Sequence, residues 1–322
     1  MRKGFVKFIF SFGFIYLMLS VPFVFAAEGG ARPISMGGAY VAVADDVHAA
    51  SWNPAGMAWQ EVQEITLSGI LNSRTDYITG DFISDSYVGY VYPMQGDYEG
   101  SFKNKGTLGI YYHSTGYKTS SADVAMYQPG LSYGRLISEN LALGASISYY
   151  GYDMALPSMS DDDSIIGINL GFLWYATDQL LVGCLWENVN EPSYNLFGVS
   201  NELVRIMRPG VAYYLTENTV VACDIYDITG NTKDRTSDYS QDIRLGLEHY
   251  LTENLSVRLG AHHPNSNTDS SQFYALGLGW QRSDFWGINP VNYYIDYTFV
   301  SWTDAPSGME DYTHQIGLSA KF

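Results

Sequence analysis

Several residues in this chain have the types and spacings that chemistry requires. Gly130-Leu131-Ser132-Tyr133-Gly134 fits the G-x-S-x-G pattern of serine hydrolases. That pattern works only on a strand-to-helix elbow, and here it falls mid-strand with Ser132 on the small-residue face. His262-His263 lacks the H-x-x-x-H spacing or nearby Cys of a zinc site and reads as the solvated edge of a loop. Asp161-Asp162-Asp163 could meet a divalent cation only if several oxygens converged in a fixed loop, so a solvated acidic loop is expected. His48 reads as structural. Cys184 and Cys223 sit mid-strand on strands separated by a third, about 9 to 10 Å apart at ordinary spacing and beyond disulfide reach. No catalytic role, metal or cofactor is expected.

Composition narrows the classes further. The 322 residues include 32 Gly, 27 Tyr, 15 Phe and 7 Trp, and only 16% are charged. A net charge of −17 from 17 basic and 34 acidic residues removes the basic footprint that nucleic-acid binding needs. A mean hydropathy of −0.09 leaves no room for a bundle of spanning helices. The one long apolar run, Phe8 to Phe25, follows Arg2, Lys3 and Lys7 and exits through small residues. Residues 1–26 are therefore expected to be a secretory signal peptide, cut before Ala27.

The elements that would hold these residues announce themselves by alternation. Ile166, Ile168, Leu170, Phe172 and Trp174 share one face of a strand, with Gly167, Asn169 and Gly171 between them. Similar segments recur near 62–70, 85–93, 106–113, 127–137, 141–151, 164–175, 179–189, 204–215, 218–228, 241–250, 255–262, 272–282, 291–302 and 312–322. Short connections Ser138-Glu139-Asn140, Thr177-Asp178-Gln179, Thr216-Glu217-Asn218 and Thr252-Glu253-Asn254 alternate with long polar ones near Asp153–Asp163, Asn188–Leu203, Ile228–Ser240 and His263–Ser271. A soluble sandwich also alternates, but tight turns at one end and long loops at the other predict an all-β, transmembrane antiparallel β-barrel of about fourteen strands over 62–322. Its hairpin at Met94–Lys105 is the least regular. Trp174, Tyr175, Trp186, Tyr213, Tyr214, Trp280 and Trp302 are expected in the aromatic girdles. Closure follows from lipid, which satisfies no backbone group. Inward Gly, Ser and Ala would leave luminal room.

Residues 27–61 do not alternate and read as an ordered N-terminal plug or hatch. Gly37-Gly38 permits a sharp bend, Asp45 or Asp46 can cap a short helix through Ala50, and Asn53-Pro54-Ala55-Gly56 reads as a turn. The stretch SMGGAYVAVADD…SWNPAGMA resembles the N-terminal signature of the FadL/PorV-like outer-membrane barrels, and its spelling looks closer to the PorV/PorQ-type branch. The FadL branch implies a plugged barrel that passes hydrophobic compounds, with Asn53, Pro54 and Ala55 in the plug. The PorV branch implies a partner in type IX-like protein secretion or surface-protein attachment. A terminal aromatic, Phe322, resembles the signal read by the barrel assembly machinery.

The expected function is thus a passive channel of the bacterial outer membrane for hydrophobic or amphipathic molecules such as fatty acids, surrounded by outer-membrane lipid and gated by Gly37, Gly38, Asp45, Asp46 and Asn53 to Gly56. The alternative is the secretion partner. Asp224, Arg244, Glu248, Arg258 and Asp296 fall on the inward parity. They can pair with one another, or Arg244 or Arg258 can hold a ligand carboxylate.

Overall fold

The computed structural model describes residues 29–71, 74–76, 81–95, 104–119, 121–231, 241–265, 272–283, 291–303 and 312–322. The predicted signal peptide lies outside the described residues. Fourteen antiparallel strands form the wall: β1 (Glu64–Ile70), β2 (Asp81–Gln95), β3 (Asn104–Lys118), β4 (Asp123–Ser138), β5 (Leu141–Leu156), β6 (Met159–Tyr175) and β7 (Leu180–Glu187) in the first half. The second half comprises β8 (Ile206–Thr216), β9 (Thr219–Tyr226), β10 (Gln241–Thr252), β11 (Leu255–Asn265), β12 (Phe273–Ser283), β13 (Asn292–Trp302) and β14 (Tyr312–Lys321). β1 pairs with β2 on one edge and with β14 on the other, Glu64 facing both Val91 and Lys321, so the sheet has no free edge. The expected count of fourteen holds, including the hairpin between Gln95 and Asn104.

Alternation separates two solvents. On β6, Ile166, Ile168 and Leu170 are exposed on the outside, whereas Ile165, Asn169 and Leu173 are buried on the inside. An exposed apolar exterior is what a hydrocarbon surround requires. The girdle expectation holds for Trp174, Trp186 and Tyr213, which face out. It fails for Tyr175, Tyr214 and Trp302, which take the opposite parity: Tyr175 and Tyr214 pack against the interior, and Trp302 meets the inward Phe273 ring edge-on.

The strands of one side are longer than expected. β2 to β6 run 15 to 17 residues. At about 3.3 Å per residue and a tilt near 40°, ten residues cover the ~25 Å apolar band, so roughly five to seven residues of each stand above it. The predicted loop at Asp153–Asp163 is therefore a correction: β5 continues to Leu156 and β6 starts at Met159. Above the membrane the outward face turns polar at Asp153, Ser160, Asp162 and Ser164 while Val124, Met126, Tyr152 and Met154 are buried within, so the outer apolar stripe that marks a strand is lost while its ladder persists. The predicted loop at Asn188–Leu203 contains a small hairpin, Ser193–Leu196 with Val199–Glu202. Carboxylates of Asp161 and Asp163 accept its Phe197 and Asn195 N–H groups, so those aspartates are a hairpin anchor rather than a solvated loop.

Residues 29–60 lie inside the barrel. They form α1 (Ala31–Ser35), α2 (Ala49–Trp52) and a 3-10 turn (Pro54–Trp59), and Asp45 is their one exposed residue. Gly37 and Gly38 bend the chain at φ of 66° and 71°, a region closed to most L-residues. Asp46 does not cap a helix at its N-cap; His48 occupies that position, and Asp46 Oδ1 instead accepts the His48 N–H at 2.9 Å.

Candidate functional site

The luminal segment fits because the wall opposite it is made of glycine. Going around the barrel, a Cβ on Gly134 or Gly144 would strike the Pro54-Ala55 peptide, and one on Gly171 the Asn53 side chain. On Gly183 it would lie 2.7 Å from Val41 O, on Gly246 2.7 Å from Met36 O, and on Gly260 it would collide with Gly37 N. Several of these are cross-strand neighbours: Gly134, Gly144 and Gly171 in one row, Gly183 with Gly210, and Gly246 with Gly260. The inward glycines expected to leave luminal room do so, and backbone of residues 36–55 occupies that room.

Polar contacts fix the segment at each stage of this circuit. Asn53 Nδ2 donates to Val41 O at 2.7 Å and to Phe172 O at 3.0 Å, while its Oδ1 accepts from Ala55 N. Asp224 Oδ2 accepts two consecutive backbone N–H groups, Tyr40 at 2.8 Å and Val41 at 2.9 Å. Ser132, the residue of the hydrolase-like pattern, donates to Ala50 O from mid-strand. Thr298 donates to Ala31 O at 2.6 Å, and Glu64 accepts from Val47 N at 3.0 Å.

Charge is concentrated on Arg32. Its guanidinium grips Glu248 with two hydrogen bonds, 3.0 and 2.7 Å, and reaches Asp45, Asp46 at 3.0 Å and the Tyr40 hydroxyl at 2.9 Å. Glu248 is shared with Arg258 at 2.6 Å, and Arg258 also donates to Asp296 at 2.6 Å. Burial alone would push the Asp46 carboxyl up, but His48 at 3.0 Å and Arg32 overcome it and hold the group well below the usual carboxylate range. Arg32 was absent from the residues singled out by sequence, yet a signal existed: it is the only Lys or Arg between Ala27 and Gln60.

The remaining predicted residues take definite places. Asp224, Arg244, Glu248, Arg258 and Asp296 are all buried on the inner wall. Arg244 donates to Asp242 at 3.0 Å and lies over the Tyr226 ring. His262 is a strand residue rather than a loop edge, its Nδ1 2.6 Å from Asp242 Oδ2 and its ring against Phe273. His48 stacks on Tyr87. Cys184 and Cys223 are free, with β8 running between their strands.

The ladder of the described wall lapses at two prolines: at Pro209, where Arg208 and Pro209 lack partners among Ile225 and Tyr226, and at Pro129. β4 and β5 pair from Asp123 to Tyr127 and again from Gly130, but Gln128 and Pro129 have no partners among Tyr149 and Tyr150. Proline has no N–H to give the ladder. A cavity of about 10 Å³, room for one water, lies at this point among inward His113, Gln128 and Tyr150 and outward Tyr127 and Gly151. Pro129 stands about nine strand residues, roughly 23 Å, above the short turn, in the outer half of the apolar band.

Together these define a closed, fourteen-stranded barrel of the outer-membrane type, its lumen occupied by its own N-terminal segment. No sequence-family model and no curated protein sequence matches the chain. Among solved structures it is similar in fold to a Pseudomonas aeruginosa FadL homologue, with a TM-score of 0.63 and 11% identity over 92% of this chain and 97% of that one. It is equally similar to the Ralstonia pickettii toluene transporter TbuX, at 0.63 and 14% over 92% and 99%. The Pseudomonas putida toluene transporter TodX aligns at 0.60 and 13% over 92% and 98%. The fold is FadL-like.

Proposed function

We propose that the protein is a passive outer-membrane conduit for small hydrophobic molecules, reached by signal-peptide export and closed axially by residues 27–61 as its plug. The observation that carries this reading is the interrupted ladder at Pro129. A hydrophobic solute in the upper lumen gains about 25 cal/mol per Å² on leaving water for hydrocarbon, so a wall weakened by two missing ladder pairs gives it a downhill route where β4 and β5 part. An ion gains nothing there and meets the plug. Likeness in fold to toluene transporters adds support. Gly37, Gly38, Asp45, Asp46 and Asn53 to Gly56 are the plug's hinge and seating residues. Arg244 and Arg258 can hold a ligand carboxylate only by releasing Asp242, or Glu248 and Asp296, so an acid ligand competes with the wall's own acids.

Uptake into cells lacking the endogenous protein tests the proposal, with toluene and dodecanoate as probes. Uptake by the wild type and a severalfold loss in Pro129→Val, which restores the N–H, is the expected result. Equal uptake with and without the protein overturns it. Stable co-purification with exported proteins and no uptake defect on deletion would instead point to the secretion-partner reading in the PorV manner.

A further inference from the structure

The short-turn end of the barrel has an aromatic mouth that lipid does not explain. Three successive turns share one pattern, an aromatic two residues before a Thr-acid-amide turn: Tyr175 before Thr177-Asp178-Gln179, Tyr214 before Thr216-Glu217-Asn218, and Tyr250 before Thr252-Glu253-Asn254. The three tyrosines stand at one level, because each backbone N–H donates to the neighbouring turn: Tyr175 to Asn140 O at 2.8 Å, Tyr214 to Gln179 O at 2.8 Å and Tyr250 to Asn218 O at 2.9 Å. Girdle aromatics at this depth, such as Trp174 and Tyr213, point outward. These three point into the mouth and remain half-buried.

Asp45 is the only exposed residue of the luminal segment, 46% accessible at its side chain, and its carboxylate is held toward this end of the lumen by Arg32. Trp59 closes the floor, edge-on to Tyr175 at 4.9 Å. Behind Asp45 a buried cluster sets Arg32, Arg258 and Lys321 against Asp46, Glu64, Glu248 and Asp296, with His48 beside Asp46. Around the mouth the exposed turn tips carry Glu139, Asp178, Glu217 and Glu253.

We propose that this mouth is a docking site for a basic periplasmic polypeptide, one lysine or arginine side chain entering among Tyr175, Tyr214 and Tyr250 to meet Asp45. Aromatic faces and a carboxylate are the chemistry that holds such a cation. The acidic rim steers a basic surface toward it and accounts for a polypeptide rather than a lone small cation, since four separated carboxylates need several positive charges to answer them. The proposal is independent of what the barrel conducts.

Fluorescein-labelled hexalysine, with hexaglutamate as control, is titrated onto the full chain in lipid nanodiscs and read by anisotropy at low and high salt. Saturable hexalysine binding is expected. The pair Tyr214→Leu/Tyr250→Leu weakens it roughly tenfold, and Tyr214→Phe/Tyr250→Phe leaves it intact, because the ring face is retained. Glu217→Gln/Glu253→Gln, on exposed tips, lowers the salt dependence while the seat persists. Absent hexalysine binding, or binding that the Leu pair leaves unchanged or the Phe pair weakens equally, overturns the proposal. Hydrogen exchange of residues 29–60 confirms that each variant keeps its luminal segment in place.

Discussion

Substituting alanine for Gly183 or Gly246 should act oppositely on the wall and on the segment inside it. Each new Cβ would sit 2.7 Å from a backbone oxygen, Val41 O or Met36 O, about 0.7 Å closer than ordinary contact at 3.4 Å. Backbone held by further hydrogen bonds has nowhere to move, and overpacking of this kind costs about 1 to 3 kcal/mol. The strand itself gains, since alanine is favoured over glycine in a strand by roughly 0.5 to 1 kcal/mol. At about 1.4 kcal/mol per decade, the unseated luminal segment should rise roughly five- to a hundredfold in population while the barrel melts no lower. Hydrogen exchange of the Tyr40 and Val41 amides, both bonded to Asp224, reads the first effect, and heat-induced loss of strand signal reads the second. Ion conductance in a planar bilayer should rise in parallel. Gly317→Ala, whose Cβ would meet side chains and no backbone, Ala31 at 3.2 Å and Asp296 and Ser68 at 3.6 Å, serves as the control. Exchange in Gly183→Ala and Gly246→Ala equal to that of the control would refute the account of the glycine belt.

Other consequences follow from the same geometry. Arg32→Gln removes the shared cation of Glu248, Asp45 and Asp46, and with Glu248 still on Arg258 and Asp46 still on His48 the luminal segment should lose about 1.5 to 3 kcal/mol, visible as faster exchange and as leak conductance. Asp46 has a folded pKa below its unfolded value of 3.8, so its contribution is complete above that pH and is lost as pH falls further toward the folded value. Conductance should therefore gain nothing from Asp46 between neutrality and about pH 4, and should rise only below it. Replacing Asp161 and Asp163 by asparagine removes the charge that anchors the outer hairpin, and exchange at Asn195 and Phe197 should increase severalfold without a change in the barrel. Mass spectrometry of the unreduced protein should find both Cys184 and Cys223 as thiols.

The wall was legible because two immiscible surroundings impose a period of two on every strand, so fourteen segments could be marked from residues such as Ile166 and Leu170 alone. That signal stops at the edge of the apolar band, which is why Asp153 to Asp163 looked like loop and proved to be ladder. The bend at Gly37-Gly38 and the Asn53-Pro54 turn were readable because local backbone chemistry dictates them. Arg32 with Glu248, 216 positions apart, was not. Parity also distinguishes Trp174 from Tyr175, yet a count of aromatics near strand ends merged them into one girdle.

A segment seated against every quarter of the wall cannot swing aside as a door, since moving it frees Asp224, Glu64 and Glu248 from their bonds at once. Each of those carboxylates is buried, and although Glu248 keeps Arg258 and Glu64 keeps Lys321, every charged hydrogen bond lost costs about 1.5 to 3 kcal/mol. Wholesale displacement for every passing solute is therefore disfavoured. Parting β4 from β5 at Pro129 requires less, because the missing N–H has already removed one bond that a solute would otherwise have to break. On the proposed function, the seal against ions and the passage of hydrophobic molecules would thus fall to different parts of the structure, the glycine belt and the proline gap. Pro129→Val should lower passage severalfold with the seal intact, and Gly246→Ala should loosen the seal with passage intact. Were one substitution to alter both, the division between belt and gap would be wrong.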